Sequence, residues 1–123
     1  MPNLRKRLGN IGEHAAAMYL ARQGYQLVAR KWRCASGELD LVMRDGATLV
    51  FVEVRARRGA PGSAEESVGR AKQGRLIALA YAYLAAIGAP EDTAWRIDVV
   101  ALDLDRHGHV VGLRHIRDAV EES

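Results

Sequence analysis

Two β-rich runs separated by a turn signal constrain the fold of this 123-residue chain more than any other feature. Residues 38–44 and 48–57 flank the dipeptide Asp45-Gly46, which in this context predicts a β-hairpin. Both faces of this hairpin are largely apolar, so we expect a sheet covered on each side by a helix. Strict alternation predicts an uncharged face of Leu39, Leu41, Met43, Val50, Val52 and Val54, and a mixed face of Val42, Leu49, Phe51, Glu38, Asp40, Glu53 and Arg55.

The rest of the chain predicts two helices and three further strands. The segment Asn10-Ile11-Gly12-Glu13 has the form of a capping box that begins an Ala-rich helix, and Gly24 ends that helix. The order α-β-β-β-α-β-β predicts a single mixed α/β domain over residues 1–123, with residues 1–7 and 118–123 as flexible ends. Outside the hairpin, the predicted elements are a helix at 10–23, a strand at 25–33, a helix from about residues 63–67 to 88, and strands at 95–104 and 109–116.

The net charge of +3 conceals an asymmetry along the chain. Residues 1–75 hold fourteen of the eighteen Lys and Arg residues and seven of the fifteen acids, whereas residues 76–123 hold four bases and eight acids. A basic half indicates either a polyanionic partner or a merely basic solvated surface. The single cysteine, Cys34, excludes an intramolecular disulfide. Because neither a membrane span nor a signal peptide is evident, we expect a cytoplasmic protein with no membrane contact.

Asp40 and Glu53 are the strongest candidates for a chemical site. If Asp45-Gly46 is a two-residue loop, Asp40 faces Phe51 and is the diagonal neighbour of Glu53, with Cβ atoms about 7 Å apart. Two carboxylates in a dry strand pair repel one another unless one is protonated or a cation intervenes. A Mg²⁺ or Mn²⁺ ion held by carboxylate and phosphate oxygens would relieve that repulsion.

Basic side chains accompany the acidic pair. Arg55 follows Glu53 by two residues and therefore shares its face of the strand. Lys72 lies on the predicted buried stripe of the second helix, four residues from both Val68 and Leu76. A lysine in such a position either meets an anion, here a carboxylate or a phosphate, or packs its stem on the core and extends its ammonium group into solvent.

These segments resemble those of a known nuclease superfamily. Gly37-Glu38-Leu39-Asp40-Leu41-Val42 and Phe51-Val52-Glu53-Val54-Arg55 are similar to the Asp…Glu-x-Lys core of the PD-(D/E)xK nucleases. The resemblance implies a restriction-endonuclease-like mixed β-sheet flanked by helices, of the archaeal Holliday-junction-resolvase type. The likeness to the YraN-like bacterial proteins extends over roughly residues 8–104 and includes Gly12-Glu13-x-x-Ala16, Gly24-Tyr25, Lys72-Gln73 and Arg96-Ile97-Asp98-Val99-Val100.

The resemblance also implies a function. It is that of a Mg²⁺-dependent endonuclease hydrolysing phosphodiesters in DNA, including branched or structured DNA. Resolvase-like enzymes are commonly homodimers, whereas the residues of this chain leave the oligomeric state open. Asp40 and Glu53 match the metal-binding carboxylates, and the carbonyl of Val54 matches a further ligand. Glu13 matches a glutamate of the first helix that completes such sites, although its position also suits a capping box.

Arg55 stands where the superfamily usually has its catalytic lysine. An arginine stabilises negative charge on a phosphate but does not deprotonate to activate water. Lys72, approaching from the neighbouring helix, is the residue that could replace part of the missing function. The implied reaction is an in-line attack of water on a phosphodiester, with Arg55 or Lys72 stabilising the charge that develops.

Two further functions stay open at this point. The substitution of arginine for lysine favours a nucleic-acid-binding module that has lost turnover, and the third alternative is an interaction component of a DNA-processing complex. Trp32 and Tyr25 could stack on unpaired bases, but aromatic residues beside strands are more often core residues. The four histidines show no metal-ligand spacing. The candidate contacts to DNA are the bases Arg30, Lys31, Arg33, Arg57, Arg58 and Arg75.

Overall fold

The computed structural model describes residues 3–122 as two helices and one five-stranded sheet. The predicted order α-β-β-β-α-β-β and the mixed α/β class are confirmed. Neither helix in the described range is long and apolar enough to cross a bilayer. The elements are α1 (Leu4–Arg22), β1 (Gln26–Cys34), β2 (Gly37–Asp45), β3 (Thr48–Arg58), α2 (Arg70–Ala86), β4 (Trp95–Leu104) and β5 (Val110–Ile116).

The sheet has the strand order β1-β2-β3-β4-β5 and carries one helix on each face. All neighbouring strands are antiparallel except β3 and β4, which run parallel and are connected through α2. On one face Leu20 of α1 belongs to a core cluster with Val52, and on the other Tyr83 of α2 belongs to a cluster with Phe51. The two apolar hairpin faces are therefore each covered by a helix, as the sequence predicts.

The first helix begins at Leu4, so the predicted start at Asn10 is wrong. Asn10 lies inside α1, where its side chain accepts a hydrogen bond from Lys31 and does not cap the helix. The residues before it, 4–8, are Leu, Arg and Lys, which favour helix strongly enough to extend it in the N-terminal direction. Glu13 is thereby released from the predicted capping box.

Gly24 ends α1 as predicted, because its φ of +92° lets the backbone N–H of Tyr25 bond to the carbonyl of Leu20 at 3.0 Å.

The structure describes the chain from Asn3 at the N-terminal end to Glu122 at the C-terminal end. Met1, Pro2 and Ser123, which fall within the predicted flexible ends, lie outside the described residues. Near the C-terminus Val120 is buried in the core cluster beneath α2.

The second helix begins at Arg70, later than the predicted start within residues 63–67. Asp103 of β4 explains the difference, because its carboxylate accepts hydrogen bonds from the backbone N–H groups of Gly62 at 2.8 Å and Ala64 at 2.9 Å. Backbone groups held by a carboxylate in this way are fixed as a loop. Helical dihedrals begin only after Gly69, which is extended at φ −63° and ψ 157°.

The hairpin turn consists of residues 46–47, so the predicted Asp45-Gly46 loop is wrong by one position. Asp45 pairs with Thr48 at the end of the ladder, and its carboxylate meets Arg96 at 3.2 Å and Arg117 at 3.5 Å. These contacts hold Asp45 in the strand and leave Gly46, with a φ of +61°, to open the turn. The register moves by two residues, which preserves the face on which each side chain lies.

Leu39 departs from the predicted alternation. It packs in the α2-side cluster with Val42, whereas Leu41 packs on the α1 side. The irregularity coincides with Asp40 on β2 and with Lys31 on β1, whose φ of +51° lies outside the β region. The strict period of two therefore fails at Asp40, the residue from which the sequence predicts chemistry.

Candidate active site

A pocket of about 440 Å³ opens beside the point where β2 and β3 stop pairing. The two helices and the two central hairpin strands all contribute to its wall, which explains why residues distant in sequence meet there. The lining residues are Leu8, Gly9, Glu13, Asp40, Glu53, Val54, Arg55, Ala56 and Lys72. All six residues for which the sequence predicts a catalytic or metal-binding role are among them.

Asp40 is held by the backbone of the neighbouring strand. The β2–β3 ladder ends at Leu41 and Val52, and beyond it the N–H of Val54 donates a hydrogen bond to Oδ2 of Asp40 at 2.8 Å. Burial and then the nearby Glu53 carboxylate raise the pKa of Asp40 to about 7, against the lowering effect of this hydrogen bond. The pocket thus contains a carboxyl group whose negative charge is poorly compensated.

Glu13 projects from α1 into the same pocket and is only 7 % exposed. Its Oε1 atom is buried and has no hydrogen-bond partner among the described residues. The nearest cationic group in the described part of the chain is the Nζ of Lys31, 3.8 Å from this oxygen. Burial raises the pKa of Glu13 above its ordinary value, while Lys31 acts in the opposite direction. An unpartnered buried carboxylate oxygen is costly, and a cation in the pocket would offset that cost.

Glu53 and Lys72 form an ion pair with 3.2 Å between Oε1 and Nζ. Glu53 is buried, whereas the Lys72 side chain is 40 % exposed. Of the alternatives that the helix pattern left open for Lys72, the structure shows the carboxylate partner. The ammonium group still reaches solvent through the pocket, so it also faces anything that enters.

Arg55 lines the pocket next to Glu53 but is turned toward the loop before α2. Its guanidinium forms an ion pair with the exposed carboxylate of Glu65 at 3.0 Å. Because Glu65 lies on the surface, this pair is worth little, and a phosphate could compete for the guanidinium at small cost. Val54 contributes backbone to the wall, and the contact fixed by a hydrogen bond is its N–H.

Glu38 is a carboxylate that the sequence analysis placed on the mixed face without giving it a role. One carboxylate oxygen from each of Glu13, Glu38 and Asp40 lies within 4.8 Å of the other two. This is the one group of three or more potential ligands found in residues 3–122. The sequence signal that could have identified Glu38 as a site residue was its position two residues before Asp40. Glu38 is also bound by Arg33 at 3.0 Å.

The six predicted DNA contacts have different surroundings in the structure. Lys31 and Arg33 neutralise acids, as described above. Arg30 and Arg57 are exposed and form no ion pair within residues 3–122, and Arg75 lines a small neighbouring pocket together with Glu38 and Lys72. Arg58 donates a hydrogen bond to the backbone carbonyl of Arg106, on the turn between β4 and β5.

The aromatic and histidine side chains behave as the sequence favours. Tyr25 is buried in the core, and Trp32 packs edge-on against Tyr83 with ring centroids 5.3 Å apart. His115 bonds to the fully buried Asp98 at 2.8 Å, within a structural network below the α1-side core. Within the described range no histidine joins a group of metal-type ligands.

Comparison with known proteins identifies the family. The sequence matches the family described as "Uncharacterised protein family UPF0102" over residues 12–102. The chain belongs to the UPF0102 family. This confirms the similarity to YraN-like bacterial proteins at the level of the family. The matched range includes seven of the nine residues that line the pocket, among them Glu13, Asp40, Glu53 and Lys72.

Several relatives within UPF0102 are similar over nearly their whole length. A UPF0102 protein of Roseiflexus castenholzii is 55 % identical over 124 residues, which cover 100 % of both chains. One from Chloroflexus aurantiacus is 52 % identical over 122 residues and 99 % of each chain. One from Pelotomaculum thermopropionicum is 47 % identical over 97 % of this chain and 99 % of its own. The architecture described above therefore corresponds to the whole length of these UPF0102 proteins.

Proposed function

We propose that this UPF0102 protein is a metal-dependent nuclease that hydrolyses phosphodiester bonds in DNA. The observation that carries the proposal is the meeting of Glu13, Asp40 and Glu53 with Lys72 in one open pocket. Carboxylates and a lysine in a solvent-accessible pocket suit a reaction at a phosphate, which needs both a cation site and positive charge. The resemblance of the two hairpin segments to the PD-(D/E)xK core supports the same reading.

The residues in the pocket fit a divalent metal ion. Glu13, Glu38 and Asp40 offer hard oxygen ligands close together, and the buried Oε1 of Glu13 has no other hydrogen-bond partner in the described chain. Glu53 and the Val54 carbonyl complete the proposed set. Bound there, Mg²⁺ or Mn²⁺ would supply Lewis acidity toward a phosphate oxygen and toward water.

The protein's own groups have distinct roles in this proposal. The N–H of Val54 fixes the Asp40 carboxylate against the strand end. Lys72 holds Glu53 in place and presents an ammonium group to the entering phosphate. Arg55 exchanges Glu65 for the phosphate and stabilises the negative charge that develops during in-line displacement.

A second candidate function is binding of nucleic acid without cleavage. The observation that favours it is Arg55, which stands in place of a lysine and is already paired with Glu65. A site without a lysine in this strand position lacks one group that could accept a proton from water. A cleavage assay distinguishes the two candidate functions.

The test is a cleavage assay on labelled duplex, single-stranded, flap and four-way-junction DNA, with Mg²⁺, Mn²⁺ or EDTA. Asp40→Asn and Glu53→Gln are compared with Asp92→Asn and Glu91→Gln, matched changes at exposed positions in the turn before β4. Metal-dependent cleavage that is lost only in the first pair supports the nuclease. Binding without cleavage supports the second function, and cleavage that survives in the first pair refutes the proposed site.

A further inference from the structure

A second pocket of about 210 Å³ adjoins the candidate active site. Leu8 of α1 lines both pockets, so they are neighbours along one surface of the molecule. The second pocket lies between the first turns of α1, the end of β3 and the β4–β5 turn. We call it the basic notch and define it by its lining residues, Arg7, Leu8, Ile11, Arg58, Arg106, His107 and Gly108.

Hydrogen bonds fix the positions of Arg58, Arg106 and His107 in the notch. Arg58 donates a hydrogen bond to the carbonyl of Arg106, and Nε of Arg106 lies 3.2 Å from Nε2 of His107. The turn that carries them is ordered by Asp105, whose Oδ1 accepts the N–H groups of His107 at 2.8 Å and His109 at 2.9 Å. The notch is therefore a formed feature of the fold.

Within the described chain, the arginines of the notch have no carboxylate partner. Throughout residues 3–122, Arg7, Arg58 and Arg106 form no salt bridge, and no acid lines the notch. Guanidinium groups gathered without a counter-charge create a strongly positive surface that an anion stabilises. The contrasting set, in which each residue pairs with a carboxylate, is Arg33, Arg55, Arg96, Arg114 and Arg117.

We propose that the basic notch binds a backbone phosphate of the nucleic-acid strand, next to the phosphodiester held in the candidate active site. The identity of the ligand as nucleic acid rests on the proposed function. Arginine is suited to this role because its planar fork of N–H donors matches phosphate oxygens. The strand passes over Leu8 from one pocket to the other. Three notch residues, Arg7, Arg106 and His107, were not among the sequence-based candidates.

The test measures binding rather than cleavage. Arg7→Gln with Arg106→Gln removes two exposed guanidinium groups from the notch, and the matched control, Arg22→Gln with Arg44→Gln, removes two exposed ones elsewhere. Affinity for a labelled DNA strand is measured by fluorescence anisotropy in EDTA over a series of KCl concentrations. Thermal melting checks that both variants fold.

The notch variant is expected to lose affinity by about 10-fold or more at about 0.1 M KCl. Its slope of log affinity against log salt should fall by about 1, because roughly one unit is lost per phosphate contact and the notch holds one phosphate. The control should retain affinity within about twofold. Equal losses in the two variants, an unchanged slope in the notch variant, or no binding by the wild type would overturn the proposal.

A small substrate separates this inference from the proposed function. Bis(p-nitrophenyl) phosphate has a single phosphodiester and no neighbouring phosphate, so the notch variant should hydrolyse it at the wild-type rate while losing activity on DNA. If the wild type hydrolyses neither substrate, the nuclease proposal fails, and the binding experiment still decides the role of the notch. If the notch variant is impaired equally on both substrates, a separate phosphate subsite is refuted.

Discussion

Oδ2 of Asp40 lies 2.8 Å from the backbone nitrogen of Val54, where β2 and β3 cease to pair. The Asp40 carboxylate accepts a hydrogen bond from a backbone N–H group at the point where the β2–β3 ladder ends. The position of the carboxylate is thus fixed by a hydrogen bond from the neighbouring strand. The same residue ends the ladder and faces the pocket, which links the stability of the strand end to the chemistry of the site.

The first prediction concerns stability against pH in the absence of divalent metal. The pKa of Asp40 is about 7 in the folded protein, whereas that of an unfolded aspartate is about 3.9. The folded state therefore binds more protons between these values, and the contribution of Asp40 to the free energy of unfolding falls as pH rises from about 4 to 7. The loss is at most about 4 kcal/mol.

Asp40→Asn abolishes this titration. Relative to the wild type, the variant should become progressively more stable as pH rises through that range, as measured by urea denaturation in EDTA. Asp92→Asn, at an exposed position, serves as the control and should show no such trend. A stability difference for Asp40→Asn that is independent of pH would contradict the prediction.

The second prediction concerns metal binding. Mg²⁺ or Mn²⁺ should raise the melting temperature of the wild type near pH 8, because an ion that binds only the folded state stabilises it by about 1.4 kcal/mol at ten times its Kd. The combined variant Asp40→Asn with Glu53→Gln should show no shift, and Glu13→Gln a reduced one. The double substitution Glu91→Gln with Asp92→Asn should respond like the wild type. An equal metal response in all four proteins would rule out a metal site in this pocket.

The third prediction separates the role of Arg55 in the reaction from its role in binding. Arg55→Gln should lower the rate of DNA cleavage on the order of 100-fold, since a charge-stabilising donor is lost, with a smaller effect on DNA affinity. Arg55→Lys, which keeps the charge, should retain much of the rate. Single-turnover cleavage measures the first quantity and anisotropy the second. Unchanged cleavage by Arg55→Gln would leave Arg55 without a catalytic role.

The fourth prediction tests the close approach of α1 to the sheet. A Cβ added at Gly12 would lie 2.8 Å from the Cβ of Ala56, so Gly12→Ala should destabilise the protein by about 1–3 kcal/mol through overpacking. At Gly74, in α2, nothing lies within 4 Å of an added Cβ. Gly74→Ala should instead stabilise the protein by about 0.5–1 kcal/mol. Urea denaturation compares the two, and equal effects would argue against the close contact.

Local periodicity was enough to predict the parts of the fold and site that depend on neighbouring residues. Apolar side chains on both faces of the hairpin predicted two covering helices, because each face must be buried. The four-residue spacing of Lys72 from Val68 and Leu76 placed it on the core-facing stripe of α2 and left an anion partner as one of two alternatives, and the structure shows that partner to be Glu53. Both predictions rest on the spacing of residues that lie fewer than eight positions apart in the sequence.

Long-range contacts account for what the sequence did not predict. Asp45 stays in its strand because Arg96, 51 positions away, binds it, and this contact sets the turn and the register. The left-handed backbone at Lys31 coincides with the irregularity at Asp40, and no residue-type rule predicts such a conformation for lysine. Glu38 joins Glu13 and Asp40 only through the approach of α1, which is a tertiary event.

The parallel pairing of β3 with β4 has a consequence for how the chain folds. Leu49 pairs with Trp95 and Arg58 with Leu104, so the partners in this ladder are 46 positions apart. The hairpin of β2 and β3 needs only a two-residue turn, whereas this connection must first pay the entropy of closing a long loop. We expect the β2–β3 hairpin to form early and the β3–β4 pairing to form late. Because Lys72 lies in the connection before β4, it would reach Glu53 only as folding finishes.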